Sequence, residues 1–174
     1  MVSSSFKVLT SSDSNEWFTP AHIIDDVRTV LGGIDIDPAS CDYANQTVKA
    51  TTYYTKDSDG FNRLWFGRLW LNPPYGNKSK KTGNYGASAW FEKAYEEYLF
   101  KHVSSGCVLG RGDSDGVKTL AENFIFLDNV RISFYNPDTP ASSPVPGSRI
   151  FYMGDRPSDF IDVFRKYGLI LRAI

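Results

Sequence analysis

Between Thr19 and Gly33, apolar side chains fall at Ile23, Ile24, Val27, Val30 and Leu31, the three-and-four spacing of one helix face. Asp25, Asp26 and Arg28 lie opposite. Thr19 and Pro20 stand where an N-cap and a first helical residue belong, and Gly32 with Gly33 supplies the stop. A second helix is predicted over residues 87–101. Its buried stripe is Ala87, Trp90, Phe91, Ala94, Tyr95, Tyr98 and Leu99, and its wet face is Glu92, Lys93, Glu96, Glu97 and Lys101. Shorter helices are predicted from about Gly116 to Asn123 and from Ser158 to Tyr167, the latter turning Phe160, Ile161 and Phe164 inward.

Strand-like runs alternate with these helices. Residues 34–37 alternate apolar and acidic positions and end at Pro38, while Leu69, Trp70 and Leu71 form an apolar run. Cys107–Leu109 is a third strand, followed by residues 124–127, a turn at Asp128 and Asn129, and a further strand over 130–135. Residues 136–147 carry four prolines and read as a loop, with a strand at 148–153 and a last apolar run at 169–171. About thirty residues separate Asp37 from Asn72, which is short for the strands and helix a full doubly wound sheet carries there. The expected architecture is an α/β sandwich on an abbreviated sheet, mixed near its C-terminal end.

Asn72-Pro73-Pro74-Tyr75 changes the picture most. Two prolines lack backbone donors and force their predecessors into extended geometry, so the strand stops and a stiff turn follows. That turn presents the Asn72 amide, the Pro73 carbonyl and the Tyr75 ring together, beyond a strand end where α/β sheets hold ligands. Two acceptors aimed at the two N–H bonds of an exocyclic or amide nitrogen hold it in place. They also favour the pyramidal form whose lone pair faces an electrophile. Tyr75 offers a flat face to a base swung out of its stack.

Other candidates surround this string. Asp37 closes a strand beside a turn, and reads equally as a carboxylate for a ligand cation or as the lead-in to a helix. Asp59 with Gly60 and Phe61 reads as a surface turn or as part of a pocket wall. Trp17 and Phe18 precede the first helix as a hydrophobic staple or as pocket lining. Residues 76–86 form a glycine-rich loop in which Lys78, Lys80 and Lys81 attract phosphate, and Arg111, Asp113 and Asp115 follow the third strand on the same side.

Composition narrows the classes. The 174 residues suit one domain, taken as 14–174 after a flexible, serine-rich segment 1–13. A net charge of −1 provides no global basic field, so nucleic-acid contact must come from a local patch. Cys41 and Cys107 lack metal-like neighbours and do not pair with His22 or His102, which argues against a zinc site and predicts two reduced thiols. The sequence has neither a signal peptide nor a long apolar stretch, so a cytoplasmic protein is expected.

In order and spacing, the segments 16–20, 34–40, 53–55 with Asp59 and Gly60, 72–75 and 109–115 together resemble the phage-type, Dam-like DNA N6-adenine methyltransferases, over roughly residues 13–153. The resemblance implies a Rossmann-like fold, S-adenosylmethionine as methyl donor and DNA as substrate; a dimer would enlarge the DNA footprint but the sequence does not require one, so a monomer or weak homodimer is expected. It places Trp17, Phe18, Thr19 and Pro20 beside the methionine part of the cofactor, and Asp37, Pro38 and Ala39 at its ammonium group. Asp59 then accepts from the cofactor's adenine amino group with Phe61 against its ring, and Asn72, Pro73, Pro74 and Tyr75 form the target-base site. One departure stands out: Ala39-Ser40-Cys41-Asp42 replaces the glycine-rich turn such enzymes usually carry after the Asp-Pro pair. Two alternatives remain at this point, a protein-glutamine N-methyltransferase and an inactive DNA- or cofactor-binding relative.

Overall fold

The computed structural model describes residues 17–75, 85–111, 115–137 and 144–173. The expected flexible segment 1–13 lies outside them. In chain order the elements are α1 (Ala21–Leu31), β1 (Ile36–Asp37), α2 (Asp42–Val48), β2 (Thr52–Tyr53), β3 (Gly67–Leu71), α3 (Ala87–Leu99) and β4 (Val103–Arg111). Then follow α4 (Asp115–Asn123), β5 (Ile125–Ser133), β6 (Pro144–Met153), α5 (Pro157–Phe164) and β7 (Ile170–Leu171). Short 3-10 turns at Lys56–Ser58, Gly60–Asn62 and Arg165–Tyr167 complete the description.

The strands form one sheet in the order β2-β1-β3-β4-β6-β5-β7. β1 pairs in parallel with β2 and β3, and β3 with β4. β6 runs antiparallel to both β4 and β5, so β5 regains the direction of β1–β4, and β7 opposes it. The sheet is therefore mixed on its C-terminal side, as the sequence predicts.

β3 shows why its apolar run does not alternate with polar residues. Leu69, Trp70 and Leu71 are all at most 1% exposed because helices cover both faces of a central strand. Trp70 points into one core with α1 and α5 residues such as Ile24, Val27, Phe160 and Phe164. Leu69 and Leu71 point into the other, with Trp90 and Phe91 of α3 and Val117 and Leu120 of α4. Adjacent strands split likewise: Cys107 and Leu109 join the first core, and Val108 the second.

Asp35 and Arg68 lock β1 to β3 at the edge away from the predicted ligands. Arg68 donates through Nε and Nη2 to the two Asp35 carboxylate oxygens at 2.8 and 2.7 Å, and its backbone N–H reaches Oδ2 at 2.8 Å. These bonds hold the Asp35 carboxyl below the usual carboxylate range. Arg28, on the polar side of α1, reaches across to the Thr47 and Val48 carbonyls at 2.7 and 2.9 Å and satisfies the end of α2.

Four local expectations need correction. The N-cap of the first helix is Pro20, not Thr19, and its carbonyl accepts from Ile23 and Ile24 at 3.1 and 3.3 Å. Glu97 is buried at 5% exposure, and Leu99 is 56% exposed. The reason is that Lys93 and His102 compensate the Glu97 carboxylate, while the helix ends at Leu99 before that residue can pack. Asp128 and Asn129 make no turn between strands but a bulge within β5, where two residues face one on β6. Asn129 takes a left-handed φ of 50° there, and Asp128 accepts from Arg149 Nε at 2.7 Å.

Candidate active site

The chain leaves β1 for β2 on one side and then crosses to β3 on the other, so the strand order switches between β1 and β3. In an open sheet, a crevice forms beyond the carboxyl ends of the two strands at such a switch. Asp37 ends β1 and Asn72 directly follows β3, whose Leu69 pairs with Ile36 of β1. Topology alone thus brings the two leading candidate residues to one crevice. The carboxyl ends of β4 and β5 open on the same edge.

Asn72 is held from an unexpected quarter. Its Nδ2 donates to Thr19 Oγ1 at 3.2 Å, and Thr19 is buried at 7% exposure. Thr19 is in reach because the segment before α1 is stitched to the tail of β5. The Phe18 N–H donates to the Tyr135 carbonyl at 2.8 Å, and the Tyr135 N–H returns to the Phe18 carbonyl at 3.1 Å. With its nitrogen engaged, the amide leaves Oδ1 buried and without a hydrogen-bond partner among the described residues. A buried unpaired acceptor costs about 1–3 kcal/mol, so this oxygen can take a donor from outside.

The rest of the string is fixed as well. Pro73 is buried and Pro74 exposed. The Tyr75 hydroxyl donates to the Leu109 carbonyl of β4 at 2.9 Å, and burial of that hydroxyl raises its pKa despite the opposing charge of Arg111. The residue as a whole is still 43% exposed, so the phenol is pinned at its tip while ring surface stays open. Arg111, the last residue of β4, is exposed on this edge.

Asp37 is 2% exposed and forms no salt bridge among the described residues. Burial pushes its carboxyl up to about 7. The Ala39 N–H, donating to Oδ1 at 3.3 Å, opposes that shift. So does the Ser40 hydroxyl, which faces the carboxyl without meeting hydrogen-bond geometry. The turn after Asp37 is closed by Ser40 N–H to the Tyr54 carbonyl at 2.8 Å and Tyr54 N–H to the Asp37 carbonyl at 3.0 Å. Cys41 caps α2 by accepting from the Ala44 N–H at 3.4 Å, so the departure from a glycine-rich turn is also a helix start.

Gly60 seats the 56–62 lobe on that turn. A Cβ there would overlap the Pro38 carbonyl oxygen and lie 2.7 Å from Tyr54 Cβ, while Trp65 Nε1 donates to the Gly60 carbonyl at 2.8 Å. Gly60→Ala is therefore expected to cost about 1–3 kcal/mol in denaturant unfolding, because backbone must move to admit one methyl. Asp59, left-handed at φ 50°, accepts from Asn62 Nδ2 at 2.7 Å. The Phe61 ring is stacked on Tyr85 at 3.7 Å and 16°, with Trp90 at its edge.

Thr19 and Asn72 thus meet directly; Ala39 bonds the Asp37 carboxyl and Gly60 lies against the Pro38 carbonyl; and Phe18 packs on Tyr43 at 4.9 Å and Tyr135 at 5.7 Å. Trp17 is the most exposed of the N-terminal group, at 42%. Lys78, Lys80, Lys81 and Asp113 lie outside the described residues. The sequence reading missed Tyr43, Tyr85, Tyr135 and the buried Asn136. The chain's ten tyrosines are the only sequence signal toward the first three, and no signal in the sequence points to Asn136. Among the described residues, no group of three or more His, Cys, Asp or Glu could hold a metal ion. Among them, too, no helix is long and apolar enough to cross a membrane.

The chain is a mixed α/β domain with an amide and a buried carboxyl at the switch point of its sheet. The family model for DNA N-6-adenine-methyltransferase (Dam) matches residues 7–151, and the chain belongs to that family. Comparison with curated proteins and with solved structures yields no match. Family membership brings DNA adenine methylation as the general activity and DNA as the substrate.

Proposed function

We propose that the chain transfers a methyl group from S-adenosylmethionine to N6 of adenine in DNA, on a Rossmann-like methyltransferase fold, with the target base flipped onto Asn72-Pro73-Pro74-Tyr75. The observation that carries this reading is the buried Asn72 Oδ1, which lacks a partner among the described residues while Nδ2 is tied to Thr19. An exocyclic amine brings the donor this oxygen lacks, and the Pro73 carbonyl takes its second N–H. Fixing both N–H bonds localises the nitrogen lone pair that would otherwise delocalise into the purine ring. Tyr75, anchored through its hydroxyl to Leu109, keeps its ring ready to stack on the base.

Asp37 supports the choice of donor. A carboxyl buried without a cation among the described residues fits a ligand that brings an ammonium group, as the amino-acid end of S-adenosylmethionine does. When bound, that cofactor supplies an electrophilic methyl group. The chain's part is to hold the amine, exclude water and balance the ligand's charge. Asp59 and Phe61 are assigned to the cofactor's adenine, a role that requires the Phe61–Tyr85 stack to open or to be shared. Lys78, Lys80, Lys81 and Arg111 are assigned to the DNA phosphates.

The test is incorporation of labelled methyl from S-adenosylmethionine into adenine-containing DNA, set against a glutamine-bearing protein substrate and a blank. Label in DNA alone is expected. Label in protein but not in DNA would overturn the assignment, and label in neither would mark an inactive relative.

A further inference from the structure

An asparagine amide has an accepting end and a donating end, and its terminal torsion is broad and two-fold. The turn that places Asn72 therefore does not decide which end faces outward. Turned one way, Oδ1 accepts from the amino group of a base. Turned the other, Nδ2 opposes that amino group donor to donor and suits a ring carbonyl instead. A neighbour outside Asn72-Pro73-Pro74-Tyr75 has to make the choice.

Thr19 is placed to make it. Asn72 stands two residues beyond Trp70, whose ring enters the core beneath α1, so its side chain emerges on the α1 side of the sheet. Thr19 stands two residues before α1. Its backbone is held from both directions. Phe18 exchanges two hydrogen bonds with Tyr135, at 2.8 and 3.1 Å, and Pro20 keeps the residue before it extended. Branching at Cβ stiffens χ1, so the hydroxyl is fixed along with the backbone. Because α1 is capped at Pro20 and takes no side-chain bond there, Oγ1 is left to accept from elsewhere. Asn72 Nδ2 donates to it at 3.2 Å, in surroundings that leave Thr19 only 7% exposed.

We infer that Thr19 is a positioning residue for methyl transfer: its hydroxyl holds the Asn72 amide with Oδ1 turned toward the target nitrogen. The inference rests on the assignment of Asn72 to the target base. It gives Thr19 a part in turnover, acting through Asn72, where a residue of the cofactor pocket wall would act on cofactor affinity. It also gives the bridge between Phe18 and Tyr135 a purpose, since the tail of β5 then fixes the orientation of an amide that follows β3.

Thr19→Val keeps the shape of the side chain and removes the acceptor. Single-turnover methyl transfer at saturating S-adenosylmethionine is expected to slow about tenfold, as the buried Nδ2 loses its partner. Calorimetric affinity for the cofactor should stay at the wild-type value, and Thr19→Ser should restore the rate to within about twofold, the hydroxyl being present again. In an Asn72→Ala background Thr19→Val should cost nothing further, because a residue that works through Asn72 has nothing left to position. The unliganded chain offers a readout independent of activity. Denaturant unfolding of the wild type, both single variants and the double variant should show the two sites coupled by about threefold or more in the unfolding constant. If Thr19→Val does not fold, Thr19→Ala adds no bulk and gives the same comparison. Loss of cofactor affinity with an unchanged saturated rate, or a rate loss that multiplies with that of Asn72→Ala, overturns the inference and leaves the role of Asn72 standing. Full turnover in Asn72→Ala alone strikes the underlying assignment instead.

Discussion

Asn72→Ala is expected to lower the turnover of methyl transfer by about 10²–10³-fold, the usual effect of removing one preorganised hydrogen-bonding group from a transition state. Cofactor affinity should hardly change, because the amide is assigned to the target nitrogen. Stability should hold as well. The lost bond to Thr19 is worth about 0.5–1.5 kcal/mol, and deleting an unpaired buried acceptor returns about 1–3 kcal/mol. A residue kept for packing would behave otherwise, with a lower melting temperature and little effect on turnover per folded molecule. Calorimetric titration with S-adenosylmethionine, beside single-turnover kinetics, separates the two. A variant that loses the cofactor would remove Asn72 from the target-base role.

Asp37→Asn is expected to weaken cofactor binding by more than 10²-fold, because the substitution leaves a buried ligand cation uncompensated, a loss of about 3–5 kcal/mol. It should also make the unliganded protein more stable at alkaline pH. The Asp37 carboxyl stands at 3.8 when unperturbed and at about 7 in the fold, so between those values the folded chain binds the extra proton. Stability thus falls as pH rises through that window, by up to roughly 4 kcal/mol from this group. Asparagine carries no such penalty, so wild type and variant should match near pH 4 and diverge toward pH 8. Affinity for the cofactor has the opposite slope, since the ionised carboxyl is the binding form. It should climb about tenfold per pH unit up to about 7, then decline above roughly 8 as the ligand's amino group loses its own proton. A flat affinity profile, or wild-type affinity in the variant, would take Asp37 out of the pocket.

The parts of this site legible in sequence are those whose cause is local. Two prolines after a buried run define a strand end wherever the strand goes, and Asp37 before Pro38 is a strand end by the same logic. Thr19 is the counter-example. Threonine before proline ahead of an amphipathic face has the form of a helix cap, and that form accounted for it fully. Only the long-range bridge between Phe18 and Tyr135 moves the cap to Pro20 and releases the threonine toward Asn72.

Tyr135 and Asn136 were hidden for a topological reason. They lie on the ligand edge because β6 inserts between β4 and β5 and lets β5 run with the parallel strands. No periodicity encodes that insertion. Asp128 was misplaced because its partner Arg149 is distant in sequence, and Glu97 because the chain folds back after α3 and brings His102 onto its carboxylate beside Lys93. Charged residues read as wet unless their partners are known.

The most direct measurement is nucleoside analysis by mass spectrometry of DNA treated with S-adenosylmethionine and either wild type or Asn72→Ala. The account predicts N6-methyldeoxyadenosine with the wild type and a loss of at least about a hundredfold with the variant. Methylation on cytosine, or equal N6-methyldeoxyadenosine from both proteins, would contradict it.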